Sequence, residues 1–90
     1  MREIRTRLKK CQPYFIEKDL LPRLYFKEDK KDTEYWIFKY IFINHLSELC
    51  ISIRLDFSRQ TINYKLNKIL ERNHAIIEEF LKEIYYDEQL

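Results

Sequence analysis

Ninety residues, 46% hydrophobic and 16% aromatic, bound the chain to one domain with enough apolar mass for a core, and exclude a disordered segment. The sequence has no glycine and only two prolines, which argues against tight-hairpin sheet folds that need φ > 0 positions; the expected class is all-α, a compact bundle of five or six helices. The net charge of +2 conceals segregation. Residues 1–31 carry ten Lys/Arg against five Asp/Glu, 32–53 one against three, 54–74 five against two, and 75–90 one against five.

Residues 1–31 read as basic N-terminal helices. Ile4, Leu8 and Cys11 fall at helical spacing over 2–11. Pro13 suits the first turn of a following helix, PYFIEKDLL, and Pro22 interrupts or restarts it. KEDKKD reads as an exposed connection, after which Asp32 or Thr33 caps a helix from Glu34 to about His45. That run (Tyr35, Trp36, Ile37, Phe38, Tyr40, Ile41, Phe42, Ile43) has a buried strand as its alternative reading, but its length and lack of internal turn signals favour helix. The aromatic cluster around Trp36 reads as core in preference to a stacking platform for single-stranded nucleic acid.

Residues 46–70, LSELCISIRLDFSRQTINYKLNKIL, have the spacing of a helix-turn-helix. Ser47 caps a short helix to about Leu55, Asp56-Phe57 forms the turn, and Ser58 caps the second helix, a contribution of ~1 kcal/mol. Ile51, Leu55, Ile62 and Leu66 are expected to face inward, with the small Ser52 where the helices cross and Phe57 plugging the turn. Helical geometry then turns Arg59, Gln60, Asn63, Tyr64 and Asn67 outward. Such residues read base edges, Arg on guanine and Asn or Gln on adenine. Arg54, Ser58, Thr61, Lys65 and Lys68 are the candidate backbone contacts, which position a domain without reading sequence. Thr61 fits packing or phosphate contact equally.

Together, YWIFKYIFINHL, SELCISIRL and SRQTINYKLNKIL make residues 34–72 resemble the region 4 domain of bacterial sigma factors and the sigma-like transcriptional regulators of phages and mobile elements. The resemblance implies promoter recognition by the last helix, contact with RNA polymerase, and Arg59, Gln60, Asn63, Tyr64 and Asn67 as base readers. Asp56 stands where many relatives have Gly or Asn, and Ser52 where Ala is commonest; Asp still reaches the left-handed conformation. The 1–31 segment matches no part of the family and leaves no room for a promoter-melting domain, so a complete sigma factor is not expected.

The acidic helix of residues 73–90 completes the single domain. Ile62, Leu66, Ile69, Asn73, Ile76 and Phe80 alternate spacings of four and three, a coiled-coil seam in which Asn73 would set the register of a homodimer. The alternative is that the seam packs on the chain's own N-terminal helices.

No apolar run approaches the ~18 residues of a membrane span, so no membrane partner is expected. MREIRTRLKK is not followed by the apolar segment of a secretory signal, and Cys11 and Cys50 lack CxxC spacing, which fits reduced thiols in a cytoplasmic protein. His45 and His74 belong to no metal-ligand cluster, glycine-dependent phosphate and nucleophile motifs are absent, and no cofactor or enzymatic activity is expected. The sequence therefore reads as a transcriptional regulator that places helix 58–70 in the major groove of double-stranded DNA. The alternative is a protein-interaction module from a phage or mobile element, docking on RNA polymerase or another regulator without touching DNA.

Overall fold

The computed structural model describes the backbone of residues 2–89 and the side chains of residues 2–84. Among these residues there are six α-helices and no strand. They are α1 (Arg2–Lys10), α2 (Pro13–Phe15), α3 (Thr33–Phe42), α4 (Glu48–Leu55), α5 (Arg59–Arg72) and α6 (His74–Gln89). The short α2 continues through a π turn (Ile16–Leu20) into a 3₁₀ turn (Leu21–Arg23). Pro13 starts α2, where its missing N–H costs nothing, and Pro22 falls in the 3₁₀ turn that ends the segment. The aromatic run 33–42 is a helix, as its length required, although it stops at Phe42 and not at His45.

Helix periodicity decides which side chains are inside. Ile4 and Leu8 of α1, Ile16 and Leu20, Ile37, Phe38, Ile41 and Phe42 of α3, and Ile51 of α4 form one core with Ile62, Leu66, Ile69 and Leu70 of α5 and Ile77, Phe80 and Leu81 of α6. The expected core of α4 and α5 is in place, with Leu55 and Phe57 half-buried against it. On α3 the expectation held for one face only: Tyr35, Trp36 and Tyr40 stay half-exposed. The radius of gyration, 13.0 Å, is near the ~12 Å of a compact chain this long.

Without glycine, turns that need positive φ fall to residue types that reach the left-handed region more readily than most, at a small steric cost. They are Asp32 (φ 50°), His45 (φ 55°) and Asp56 (φ 59°), bracketing α3 and separating α4 from α5. This geometry revises the cap of α3. Asp32 sits at the N-cap but is left-handed and makes no side-chain cap bond, and Thr33 is already the first helical residue. Asp29 does the capping: its Oδ1 accepts from the amides of Thr33 (3.0 Å) and Lys31 (2.9 Å). The Thr33 amide bond, helped by the Lys31 amide and Thr33 hydroxyl, outweighs desolvation and holds the Asp29 carboxyl below its ordinary value.

The seam through α5 and α6 is not free for a homodimer. Ile62, Leu66, Ile69, Asn73 and Phe80 are buried within this chain. Moreover, one straight helix does not carry them, because α5 ends at Arg72 and Asn73 (φ −105°, ψ 16°) breaks it before α6. Asn73 spends its amide internally. Its Oδ1 accepts from Tyr25 N (2.8 Å), and its Nδ2 donates to Tyr25 O (2.9 Å) and Ile69 O (3.0 Å). The extended segment after the 3₁₀ turn is thus pinned to the α5–α6 junction. Beside it, Glu34 of α3 accepts from Lys27 N (2.8 Å) and from both terminal nitrogens of Arg72 (2.6 and 3.2 Å).

Candidate nucleic-acid interface

The α4–turn–α5 unit is built by local chemistry. Ser47 Oγ accepts from Cys50 N (3.1 Å) and opens α4. Asp56, left-handed, lets its own amide and that of Phe57 return to Ser52 O, which closes the helix. Ser58 then leaves the turn extended (φ −68°, ψ 157°), and its Oγ accepts from Thr61 N at 3.1 Å to open α5. Ser52 is half-buried and hydrogen-bonds Leu49 O (2.7 Å), so its hydroxyl is satisfied within α4. The first turn of α5 contains no acidic residue.

With Ile62, Leu66, Ile69 and Leu70 inward, α5 presents an outer row. Arg59, Gln60, Tyr64 and Lys68 are exposed and Asn67 is half-buried. Tyr64 is the most prominent apolar surface on this helix, 63% exposed, and Lys68 Nζ lies 5.5 Å from its ring and 3.7 Å from Glu71. Ser58 and Thr61 share a hydroxyl contact of 2.8 Å, so Thr61 completes the cap as well as lying at the surface. Lys65 is half-buried, with Nζ 5.3 Å from the Phe57 ring. It is also close enough to Asp29 and Glu34 to help lower both their pKa values. Arg54 is exposed with its guanidinium 5.6 Å from the Tyr40 ring, which associates it with α3.

Asn63 departs most from the expected role. Its Oδ1 accepts from Arg5 Nη1 at 2.7 Å, and Arg5 Nη2 reaches Glu48 Oε1 at 2.6 Å. Arg5 is only 19% and Glu48 30% exposed at the side chain. A hollow open to solvent, lined by Glu48, Arg59, Gln60 and Asn63, lies beside this bridge. One planar guanidinium thus ties α1, α4 and α5 together with two of its donor groups.

Arg5 and Glu48 have no signature in the sequence that points at Asn63. The only local hint is an acid in the first turn of α4, which a helix N-terminus favours by itself. The Glu34–Arg72 pair was equally hidden. Burial pushes the Glu34 carboxyl upward, but the Arg72 guanidinium and the Lys27 amide hold it below its ordinary value, and Glu34 raises Arg72 in return.

Among the described residues no group of His, Cys, Asp or Glu side chains is arranged to hold a metal ion, and no helix is long and apolar enough to cross a membrane. No protein-family model matches the chain, and neither a curated protein nor a solved structure is significantly similar to it.

Proposed function

We propose that the protein is a sequence-specific DNA-binding regulator of transcription that inserts α5 into the major groove, acting in the cytoplasm of a cell that carries the phage or mobile element encoding it. The observation that carries this reading is the outer row of α5. Gln60, Tyr64, Asn67 and Lys68 project from a helix whose inner face is fully buried and whose start is fixed by the Asp56 turn and the Ser58 cap. A helix held this way offers base edges two amides and a phenol along one face, with the ammonium of Lys68 beside them.

The geometry redistributes the roles within that reading. Gln60 and Asn67 are the amides best presented for bases, and Arg59 stands at the rim of the hollow. Asn63 reads only together with Arg5, which shares its carbonyl oxygen. Ser58, Thr61, Lys65 and Lys68 contact phosphates. RNA polymerase is the protein partner that the resemblance of residues 34–72 to sigma region 4 suggests. No catalytic step enters this reading.

Fluorescence anisotropy with a labelled random duplex, at low and at moderate salt, tests it. Association that weakens steeply with salt is expected, because phosphate contacts release counterions. No association at low salt defeats the reading. It would favour a protein-interaction module that does not touch DNA, which the carboxylates of Glu48 in the hollow and Glu71 beside Lys68 also favour, since they repel phosphate.

A further inference from the structure

An amide on a helix surface turns freely about its last bond, so either end can meet a ligand. Asn63 lacks that freedom. A guanidinium carries donors and no acceptor, so the amide atom that meets Arg5 Nη1 at 2.7 Å has to be the carbonyl oxygen, Oδ1. Arg5 is fixed in turn through its other terminal nitrogen, 2.6 Å from Glu48 Oε1, and all three side chains are half-buried. With Oδ1 turned to α1, the Nδ2 group is the end left over. It has no protein partner among the described residues, and Asn63 lines the solvent-open hollow with Glu48, Arg59 and Gln60.

Which end is presented decides which base fits. Asparagine matches adenine by offering its oxygen to the N6 amino group and its N–H to N7, side by side. Here a cation occupies the oxygen end. Oδ1 keeps a second lone pair, but an adenine amino group reaching for it comes up against the N–H donors of Arg5, and their like partial charges repel. The amide is thereby reduced to its two N–H donors. Guanine sets two acceptors, O6 and N7, on its major-groove edge, whereas adenine pairs one acceptor with a donor, cytosine shows a donor and thymine a single acceptor. A donor-only side chain fits guanine best.

We infer that Arg5 sets the base preference of Asn63, turning an amide that by itself selects adenine into a donor that selects guanine. Arg5 is a positioning residue in this role, since it acts through the Asn63 amide. Glu48 holds the guanidinium in place, and its own charge is balanced in doing so. The inference rests on α5 entering the major groove. It adds to that reading a specificity determinant from α1, outside the helix-turn-helix and 58 positions away from the residue it orients.

Selection from a random duplex pool tests it, with the full chain, Asn63→Ala, and a double variant, Arg5→Ala with Glu48→Ala. The double variant removes the clamp without leaving a lone carboxylate. The parent chain should prefer guanine to adenine about tenfold at one position, and Asn63→Ala should erase that preference there alone. In the double variant the amide is free to turn, so adenine should match or exceed guanine at that position while other positions keep their preferences. A merely structural Arg5 would lower affinity for every duplex and leave the ranking of bases as it was. Arg5→Met with Glu48→Ala keeps the aliphatic stem and takes the place of the alanine variant should circular dichroism show lost helix. The inference is overturned if the Asn63-dependent position prefers adenine in the parent chain, if its guanine preference survives the double variant, or if no position depends on Asn63. In each of those cases duplex binding persists and the groove reading stands. A chain that binds no duplex overturns both.

Discussion

Arg5 donates to Asn63 at 2.7 Å across 58 positions of sequence, and the same guanidinium pairs with Glu48 at 2.6 Å. The side chain central to the outward half of α5 is therefore held by the N-terminal helix. Removing Arg5 frees the Asn63 carbonyl and leaves the Glu48 carboxylate unbalanced in the hollow. Arg5→Ala should cost about 1–2 kcal/mol of stability in denaturant unfolding. It should also weaken DNA binding, because an uncompensated carboxylate then faces the phosphates. Arg5→Lys should rescue little, since an ammonium cannot fork between two partners. Restored DNA affinity in the Arg5→Ala, Glu48→Ala double variant would identify the carboxylate as the cause.

Base and phosphate contacts have different signatures. Gln60→Ala with Asn67→Ala should flatten preference among duplex sequences, each lost base contact being worth about 1–3 kcal/mol of discrimination. Lys68→Ala should weaken every duplex alike and lower the salt slope by about one. Selection from a random duplex pool, followed by salt titration, measures both. Identical profiles in the two variants and the parent chain would remove α5 from the interface.

Glu34 predicts a dependence on acid. Its carboxyl titrates below its unfolded value because of Arg72 and the Lys27 amide, so the unfolded chain takes up the proton first as pH falls. The stabilisation is thus fully present at neutral pH, and is lost as pH drops through and below about 4. Glu34→Gln should lower stability at pH 7 by about 1–2 kcal/mol and flatten the acid limb of the stability curve. An acid limb with unchanged slope in that variant would refute the assignment.

Asn73 should be the most sensitive polar position. Asn73→Ala leaves the amide and carbonyl of Tyr25 without their side-chain partner at a site where Asn73 itself is only 1% exposed. A cost of about 2–4 kcal/mol is expected, with faster amide exchange at Tyr25. Sedimentation should show a monomer before and after the substitution. A dimer that dissociates on losing Asn73 would restore the coiled-coil reading.

What the sequence made legible was local chemistry. Ser47 and Ser58 are caps because a hydroxyl three residues before an amide needs no knowledge of the rest of the chain. Ile62, Leu66, Ile69 and Leu70 are inside because one periodicity leaves them a single common face. Local rules failed where distant segments decide the outcome. Asp32 has the chemistry of a cap, but the chain must reverse there, so its backbone turned left-handed and Asp29 accepted the amides instead. The outward aromatics of α3 share composition with the inward ones, and it is the packing of α1, α4 and α5 that determines which face is covered. Arg5, Glu48 and Asn63 are each ordinary helix-surface residues until the fold brings them together.

The left-handed turns at Asp32, His45 and Asp56 also bear on the unfolded chain. Glycine would reach φ near 55° without strain, yet it would widen the range of conformations open to the denatured chain. Three stiffer residues accept a small steric penalty in the native state and give the unfolded ensemble fewer shapes to explore. For a chain of ninety residues, whose core is small, lowering the entropy of the unfolded chain adds stability that no native contact records.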